Sequence, residues 1–311
     1  MSSSTHPFAL VLLGPTGVGK TAVALALAKH LSTAIISADS RQVYRFMDIG
    51  TAKPTQAERE STPHHFIDIR NPNELYSAGQ YGDEARALIE KILQRKRWPL
   101  VVGGSGLYLR ALLEGFFEPK AANREIQEQL KRRAHEEGHL VLHAELSQID
   151  PASAARLHPN DTHRIVRALE IYYASGRLPS EVRLYNSQPA AFIYRLIGLN
   201  LSRSALYARV NQRVDNMLAA GLIDECRNLV KMGYSPELNA LQTVGYQEVF
   251  QYLRDEISYH KMADLIKQHS RNYAKRQLTW FRKMSGVEWL DVKPEDSPEK
   301  IAAAIRVYLN L

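Results

Sequence analysis

Cysteine is almost absent: Cys226 is the single one in 311 residues, so no disulfide can form within the chain. No set of cysteines and histidines stands at metal-ligand spacing either. No apolar run reaches the roughly 20 residues needed to cross a bilayer. Residues 1–6 carry no basic segment followed by an apolar core and a small-residue cleavage site. A disulfide-stapled scaffold is thereby excluded, secretion and membrane insertion are not expected, and a reducing cytoplasmic setting is. Internal repeats and low-complexity tracts are missing too. Acidic residues are lacking over one long stretch, residues 265–287, where six cations stand without a single Asp or Glu.

What is present is an ordinary globular composition, 45% apolar, with a formal net charge of +7. The length suits about two domains, and the charge balance favours a polyanionic partner. Directly after the apolar residues 8–13 comes Gly14-Pro15-Thr16-Gly17-Val18-Gly19-Lys20-Thr21, and directly after that a stretch rich in Ala and Leu. Strand, loop and helix in that order are the context of a phosphate-binding P-loop. Gly14 and Gly19 let the backbone curl into a nest of N–H donors, Lys20 adds a point charge, and Thr21 offers a hydroxyl to Mg²⁺ at a helix N-terminus. The motif states what is held, a di- or triphosphate, and not what is done to it.

Further β-rich runs at residues 33–37, 65–69, 99–102 and 192–199 alternate with helical stretches. This rhythm predicts an α/β fold, a parallel sheet flanked by helices, with binding groups beyond the carboxyl ends of the strands. Residues 119–188 break the rhythm with charged helical segments, including 124–137 ending at Gly138, and are predicted to form an all-helical insertion domain. Residues 1–118 and 189–311 then make the P-loop core, and from Ser202 onward everything is expected to be helical. One absence bears on the reaction. A motor or hydrolase P-loop protein carries an apolar strand ending in a metal-coordinating Asp. Here residues 99–102 end in Gly103-Gly104, and Asp68 lies inside the run 65–69, which weakens ATP hydrolysis as the main task.

Five segments carry candidate chemistry. Asp39 leaves the second strand near the P-loop, where it serves either as a carboxylate for proton transfer or metal binding, or as a cap on the next turn; Ser40, Arg41 and Gln42 follow it. Gly103, Gly104 and Gly106 allow close approach of a ligand or chain, with Ser105 at the next helix start. Arg209 and Arg213 share a helix face opposite Val210 and Met217, so one of them is placed to reach a phosphate. Between residues 265 and 287, Lys267, Arg271, Lys275 and Arg282 gather on one side and Arg276 and Lys283 on another. Ile266, Tyr273, Trp280 and Met284 form the apolar stripe, so the aromatics are expected in the core. The cations favour nucleic acid over a merely solvated face. In the insertion, Asn160 or Asp161 caps a helix with His163, Arg164 and Arg167 on one face and Ile165, Leu169 and Tyr172 on the other.

The strings GPTGVGKT, SADSRQVYR, DIGTAKPT, HHFIDI, GGSGLYLRALL, HPNDTHRIVRALE, TVGYQE and YAKRQLTWFR occur in that order over residues 8–290. Together they closely resemble the bacterial tRNA dimethylallyltransferases, also called tRNA isopentenyltransferases. Ser105 stands where that family usually has Thr, and His269-Ser270-Arg271 replaces a Thr-Arg pair. The resemblance implies transfer of a dimethylallyl group from dimethylallyl diphosphate to N6 of the adenosine at tRNA position 37, with Mg²⁺ at Thr21. It implies a cytoplasmic enzyme, expected as a monomer, that needs no membrane. Asp39 would be the general base, with Lys20, Thr21 and Arg213 on the diphosphate. The anticodon stem-loop would meet Asp39, Ser40, Arg41, Gln42, Ser105, Gln127, His163, Arg164, Ile165, Val166 and Arg167. Gln242, Thr243, Val244, Gly245, Tyr246, Gln247, Arg271, Lys275 and Arg276 complete that implied surface. Three rival readings are a nucleotide kinase or AMP prenyltransferase, a non-catalytic RNA-binding ATPase, and a membrane-surface role for the basic helix.

Overall fold

The structure, a computed structural model, describes residues 7–115, 124–185 and 188–311. In chain order its elements are β1 (Ala9–Leu13), α1 (Lys20–Leu31), β2 (Ile35–Ala38), α2 (Gln56–Ser61), β3 (His64–His65), α3 (Ala78–Gln94), β4 (Leu100–Gly103), α4 (Gly106–Glu114), α5 (Arg124–Glu136), α6 (His139–Ile149), α7 (Pro151–Ala154), α8 (Thr162–Ser175), α9 (Pro179–Tyr185), β5 (Tyr194–Asn200), α10 (Arg203–Ala219), α11 (Leu222–Lys231), α12 (Tyr246–Leu253), α13 (Tyr259–Phe281), β6 (Val287–Asp291) and α14 (Pro298–Leu309). Its contacts divide the chain into two compact units, Met1–Leu109 with Ala191–Leu311, and Arg110–Ala190.

The larger unit is built on a parallel sheet in the order β3-β2-β4-β1-β5-β6. All five residues of β1 are buried, as a continuous apolar run demands when helices cover both faces of a central strand. Leu12 lies opposite Val102 of β4 on one side and Ile197 of β5 on the other. Val23, Ala24, Leu27 and Ala28 of α1 join Leu206 and Val210 of α10 and Ile301, Ala302 and Ile305 of α14 in one apolar cluster with the sheet. The strands are parallel, so the segments after β1, β2 and β4 open on one edge. From β1 the chain runs to β2 on one side, and from its neighbour β4 it runs to β5 on the other, so these two strands send the chain in opposite directions, which makes a crevice between them.

Two expectations for the strands are corrected. Residues 65–69 do not form a strand: only His64–His65 pairs with β2. Phe66 and Asp68 take φ of 63° and 56°, a left-handed conformation that no strand accommodates. Asp68 is tied down instead by Lys53 and Arg59 at 2.5 Å each. The region after Ser202 is not all helical, because β6 pairs in parallel with β5 at the sheet edge. A Cβ at Gly198 would lie 2.7 Å from the Trp289 ring, so that glycine makes room for the edge strand's largest side chain.

Among its described residues the smaller unit has helices and no strand. Leu130, Leu142, Leu146, Ile165, Val166 and Leu169 form its core. Asp150 is buried there and fully engaged, accepting from Ser153 N–H and Oγ at 3.0 and 2.6 Å and from Ser180 N–H at 2.8 Å. Those bonds hold its carboxyl below its ordinary pKa against the upward pull of burial.

Candidate active site

The P-loop takes its shape from glycines at positive φ, Gly14 at 147°, Gly17 at 83° and Gly19 at 104°. A Cβ on Gly14 would stand 2.8 Å from the Leu199 carbonyl oxygen and one on Gly17 2.8 Å from Val210 Cγ2, so the loop is pressed between the end of β5 and α10. Val18 turns its side chain into the core. Lys20 opens α1, and its ammonium donates to the Gly14 and Pro15 carbonyl oxygens at 2.8 and 2.9 Å. Burial pulls its pKa down to about 7, the neighbouring Arg213 pushes the same way, and Asp39 opposes both. The ammonium is thus held on its own loop, near the pH at which it loses its proton.

Asp39 directly follows β2. Its Oδ1 accepts from the N–H groups of Arg41 at 2.9 Å and Gln42 at 3.4 Å, so it does cap the turn. It also lines a cavity of about 490 Å³ together with Lys20, Thr21 and Arg213. Capping therefore leaves the carboxylate on the cavity wall. Arg213 donates to the Thr51 carbonyl oxygen at 3.4 Å; burial lowers its pKa while Asp39 opposes. Arg209, the other cation of the pair, turns to the carbonyl oxygens of Val18 at 3.3 Å and Pro294 at 2.9 Å, and does not line the cavity.

The remaining walls come from distant segments. Gln42 donates to the Thr51 and Ala52 carbonyl oxygens at 3.3 Å each. That loop is in turn anchored by Glu225, which accepts from the N–H groups of Asp48, Ile49 and Gly50 at 2.8, 2.7 and 3.0 Å and from the Tyr246 hydroxyl at 2.6 Å. Gln277, buried on α13, accepts from Thr16 N–H and donates to the Gly104 carbonyl oxygen, each at 2.8 Å. Neither Glu225 nor Gln277 was singled out by sequence. The one available signal was a polar residue on what proves to be the buried face of α13.

Of the RNA-contact candidates in the larger unit, Ser40, Arg41, Gln42, Gln242, Thr243, Val244, Gly245, Gln247 and Arg276 line the cavity with Asp39. Tyr246 differs: its side chain is 0% exposed and packs against Gly50, so it supports the wall instead of facing the cavity. Ser105 accepts from Tyr108 N–H at 3.4 Å at the start of α4 and lies outside the cavity lining. Arg271 is occupied by Asn211 at 2.7 Å, and Lys275 is exposed on another side. The aromatic stripe on α13 is also corrected. Met262, Ile266, Ala274, Gln277 and Phe281 face the core, whereas Tyr273 and Trp280 are 39% and 38% exposed. Tyr273 lines the cavity, and its hydroxyl pKa is pushed up to about 12 by burial and by Asp39. Its ring is open on one side while its hydroxyl end is not.

In the smaller unit, His163 and Arg164 are exposed, while Ile165 and Val166 are 0% and 4% exposed and are corrected to core residues. Arg167 and Gln127 converge on the buried Glu170 at 2.7 and 3.3 Å. For a cation, the cavity offers a single carboxylate, Asp39, and hydroxyls such as that of Thr21 on the P-loop side. Among the described residues no group of three His, Cys, Asp or Glu converges as a metal site. So small a donor set cannot cage an ion alone; it fits Mg²⁺, which keeps waters and shares phosphate oxygens of a substrate. No helix among the described residues is long and apolar enough to cross a membrane.

Comparison with known proteins converges on one family. Residues 42–284 match the IPP transferase family. A tRNA dimethylallyltransferase from Symbiobacterium thermophilum is 47% identical over 289 residues, 91% of this chain and 89% of its own. The crystal structure of the full-length tRNA isopentenylpyrophosphate transferase from Bacillus halodurans superposes with a TM-score of 0.72 at 39% identity, over 98% of this chain and 96% of that one. A eukaryotic dimethylallyltransferase solved acting on tRNA gives a TM-score of 0.82 at 29% identity, covering 98% and 80% of the two chains. With the family matched over most of its length and relatives this similar along nearly the whole of it, the chain belongs to the IPP transferase family.

Proposed function

We propose that this protein transfers the dimethylallyl group of dimethylallyl diphosphate to N6 of the adenosine at tRNA position 37, next to the anticodon. The observation that carries the reading is that Asp39, Lys20, Thr21 and Arg213 share one cavity at the carboxyl ends of the strands, in a chain whose relatives are tRNA dimethylallyltransferases.

The exocyclic amine of adenine is a weak nucleophile, since its lone pair is delocalised into the ring. Alkylation therefore needs a leaving group whose growing charge is met, and removal of a proton from nitrogen. N6 attacks the allylic carbon, the carbon–oxygen bond to the diphosphate breaks, and the pair of electrons leaves with pyrophosphate. Asp39 accepts the N6 proton, a task worth about 10²- to 10⁴-fold in rate. The N–H groups of residues 17–21, Lys20 and Arg213 meet the departing pyrophosphate; a donor of this kind is typically worth about 3 kcal/mol. Thr21 would hold Mg²⁺, which would add charge neutralisation at the phosphate oxygens. The diphosphate also counteracts the desolvation of Lys20 and keeps its ammonium charged in the complex. The target base has to leave its stack, which costs least in a single-stranded loop, and an anticodon loop is one. The exposed Tyr273 ring and Arg276 supply a face for that base, and His163 and Arg164 supply phosphate contacts for the stem-loop. The enzyme acts as a monomer in the cytoplasm, where tRNA is at hand.

The test is incubation of the purified protein with labelled dimethylallyl diphosphate and either unmodified tRNA or AMP. Label is expected in tRNA, at the adenosine beside the anticodon. Label in AMP alone would remove the RNA from the account, and label transferred from ATP would make the protein a kinase.

A further inference from the structure

The side-chain amide of Gln277 bonds to two loops. Its Oε1 accepts from Thr16 N–H inside the P-loop, and its Nε2 donates to the carbonyl oxygen of Gly104 after β4, each at 2.8 Å. The residue is 8% exposed, and a Cβ on Gly104 would come to 2.4 Å from its Nε2. So one amide, reaching across from α13, ties together the loops that follow two neighbouring strands. The same helix presents Ile266, Ser270, Tyr273 and Arg276 to the cavity, with Gln277 one turn beyond Tyr273. The Thr16 N–H, being taken, is not among the donors left for a phosphate. The first half of the P-loop is anchored and the second half, from Gly17 to Thr21, is what remains for the ligand.

We propose that Gln277 is a positioning residue for the diphosphate: by anchoring Thr16 and Gly104 to α13 it fixes the P-loop nest relative to the cavity face that Tyr273 and Arg276 offer the acceptor. It touches no reacting atom and acts through the loop. This rests on the reading of the cavity as a diphosphate and tRNA site. Gln277→Met keeps the volume and removes both hydrogen bonds, leaving a donor and an acceptor buried without partners.

Calorimetric titration with pyrophosphate and Mg²⁺, tRNA binding, and amide hydrogen exchange are measured on wild type and Gln277→Met. Wild type is expected to bind pyrophosphate; if it does not, the diphosphate reading itself falls, apart from any result on Gln277. In Gln277→Met the expectation is about tenfold or greater loss of pyrophosphate affinity, tRNA affinity within about twofold, and Thr16 amide exchange at least about tenfold faster with the amides of β1 unchanged. Unchanged pyrophosphate affinity and unchanged Thr16 exchange overturn the proposal. So does a uniform loss, in which tRNA affinity and β1 protection fall together, because that is the mark of a merely structural residue. Should the Met variant fail to fold, Gln277→Glu carries the comparison: it keeps the acceptor for Thr16 and loses only the donor to Gly104. Thr16 protection is expected to survive in it with protection after β4 reduced, and loss of both to the same degree refutes the two-loop anchor.

Discussion

Replacing Asp39 with Asn separates the observed cap from the proposed role as base. The cap uses Oδ1, which accepts from Arg41 and Gln42 N–H at 2.9 and 3.4 Å, and an amide oxygen in the same place goes on accepting. The fold should therefore lose little. What the amide cannot do is take a proton from N6. With a general base worth about 10²- to 10⁴-fold, and about 1.4 kcal/mol for each tenfold, the barrier should rise by about 3 to 5 kcal/mol. A second effect follows from charge. Asp39 opposes the depression of both the Lys20 and Arg213 pKa values, so its loss leaves two desolvated cations without their counterion, and Lys20 gives up its proton more readily. Asp39→Asn should thus also bind pyrophosphate less well at pH 8 than at pH 6.5, with the gap wider than in wild type. The assay is single-turnover transfer from labelled dimethylallyl diphosphate to tRNA, alongside thermal melting. Asp39→Ala is the control: it removes the cap as well, worth about 1 kcal/mol, and should melt a few degrees lower. A single-turnover rate for Asp39→Asn within about threefold of wild type refutes the base assignment and leaves Asp39 as a cap alone.

Three further perturbations have defined outcomes. Lys20, with its pKa lowered to about 7, loses its charge progressively in the free protein as the pH rises through that value. Bound pyrophosphate raises it again, so above pH 7 binding takes up a proton and affinity falls as pH rises; calorimetry in buffers of different ionisation enthalpy reads this directly, and a pH-independent affinity sinks it. Glu225→Ala strips an acceptor from three backbone N–H groups and the Tyr246 hydroxyl. Urea unfolding should show a loss of about 2 to 4 kcal/mol, with slower turnover as the Thr51 carbonyl oxygen loses its place beside Arg213, and a stability within 0.5 kcal/mol of wild type, as for an ordinary surface change, contradicts the anchor. Gly103→Ala and Gly104→Ala should part company: the first drives a Cβ to 2.1 Å from the backbone oxygen of Ala38, the second to 2.4 Å from the movable end of Gln277. Melting should drop sharply for the first, while the second stays folded and loses pyrophosphate affinity; equal melting of the two is the contrary result.

What could be read from the sequence was what is local. The P-loop, the strands before and after it, and Asp39 at the end of β2 depend on contiguous residues whose spacing has one structural meaning. Strand 65–69 was misjudged because its composition is β-rich, while two residues within it adopt left-handed φ to satisfy Lys53 and Arg59, neither adjacent in sequence. β6 escaped notice because an edge strand needs only one partner, and β5 supplies it from nearly a hundred residues away, Leu196 pairing with Val287. The stripe on α13 was misplaced for a plainer reason. A count of apolar residues puts Tyr273 and Trp280 inside, yet Ala274, Gln277 and Phe281 are the ones buried, since a buried amide with both ends bonded is as acceptable in a core as an apolar ring. Glu225 and Gln277 act on backbone atoms, and backbone donors carry no sequence signature.

The division of labour among strands explains why a P-loop can serve a transfer to an RNA base. In the parallel sheet each strand ends at the same edge, so chemistry can be distributed over several of them without any long reach. The loop after β1 holds the phosphate donors, β2 delivers Asp39, and β4 delivers the glycines that let Gln277 and Ala38 come close. Arg213 arrives from α10, after the insertion has been made between β4 and β5. A hydrolase would spend the strand next to β1 on a metal-binding Asp; here β4 ends in Gly103 and the carboxylate stands one strand further out, on β2. In the proposed reaction that displacement leaves the carboxylate free of the ion on the leaving group and available to take a proton from the incoming amine. Asp39 also opposes the loss of charge on Lys20 and Arg213, so the carboxylate and the two cations are coupled, and variants that combine Asp39→Asn with a change at Arg213 should lose less than the sum of the two single losses.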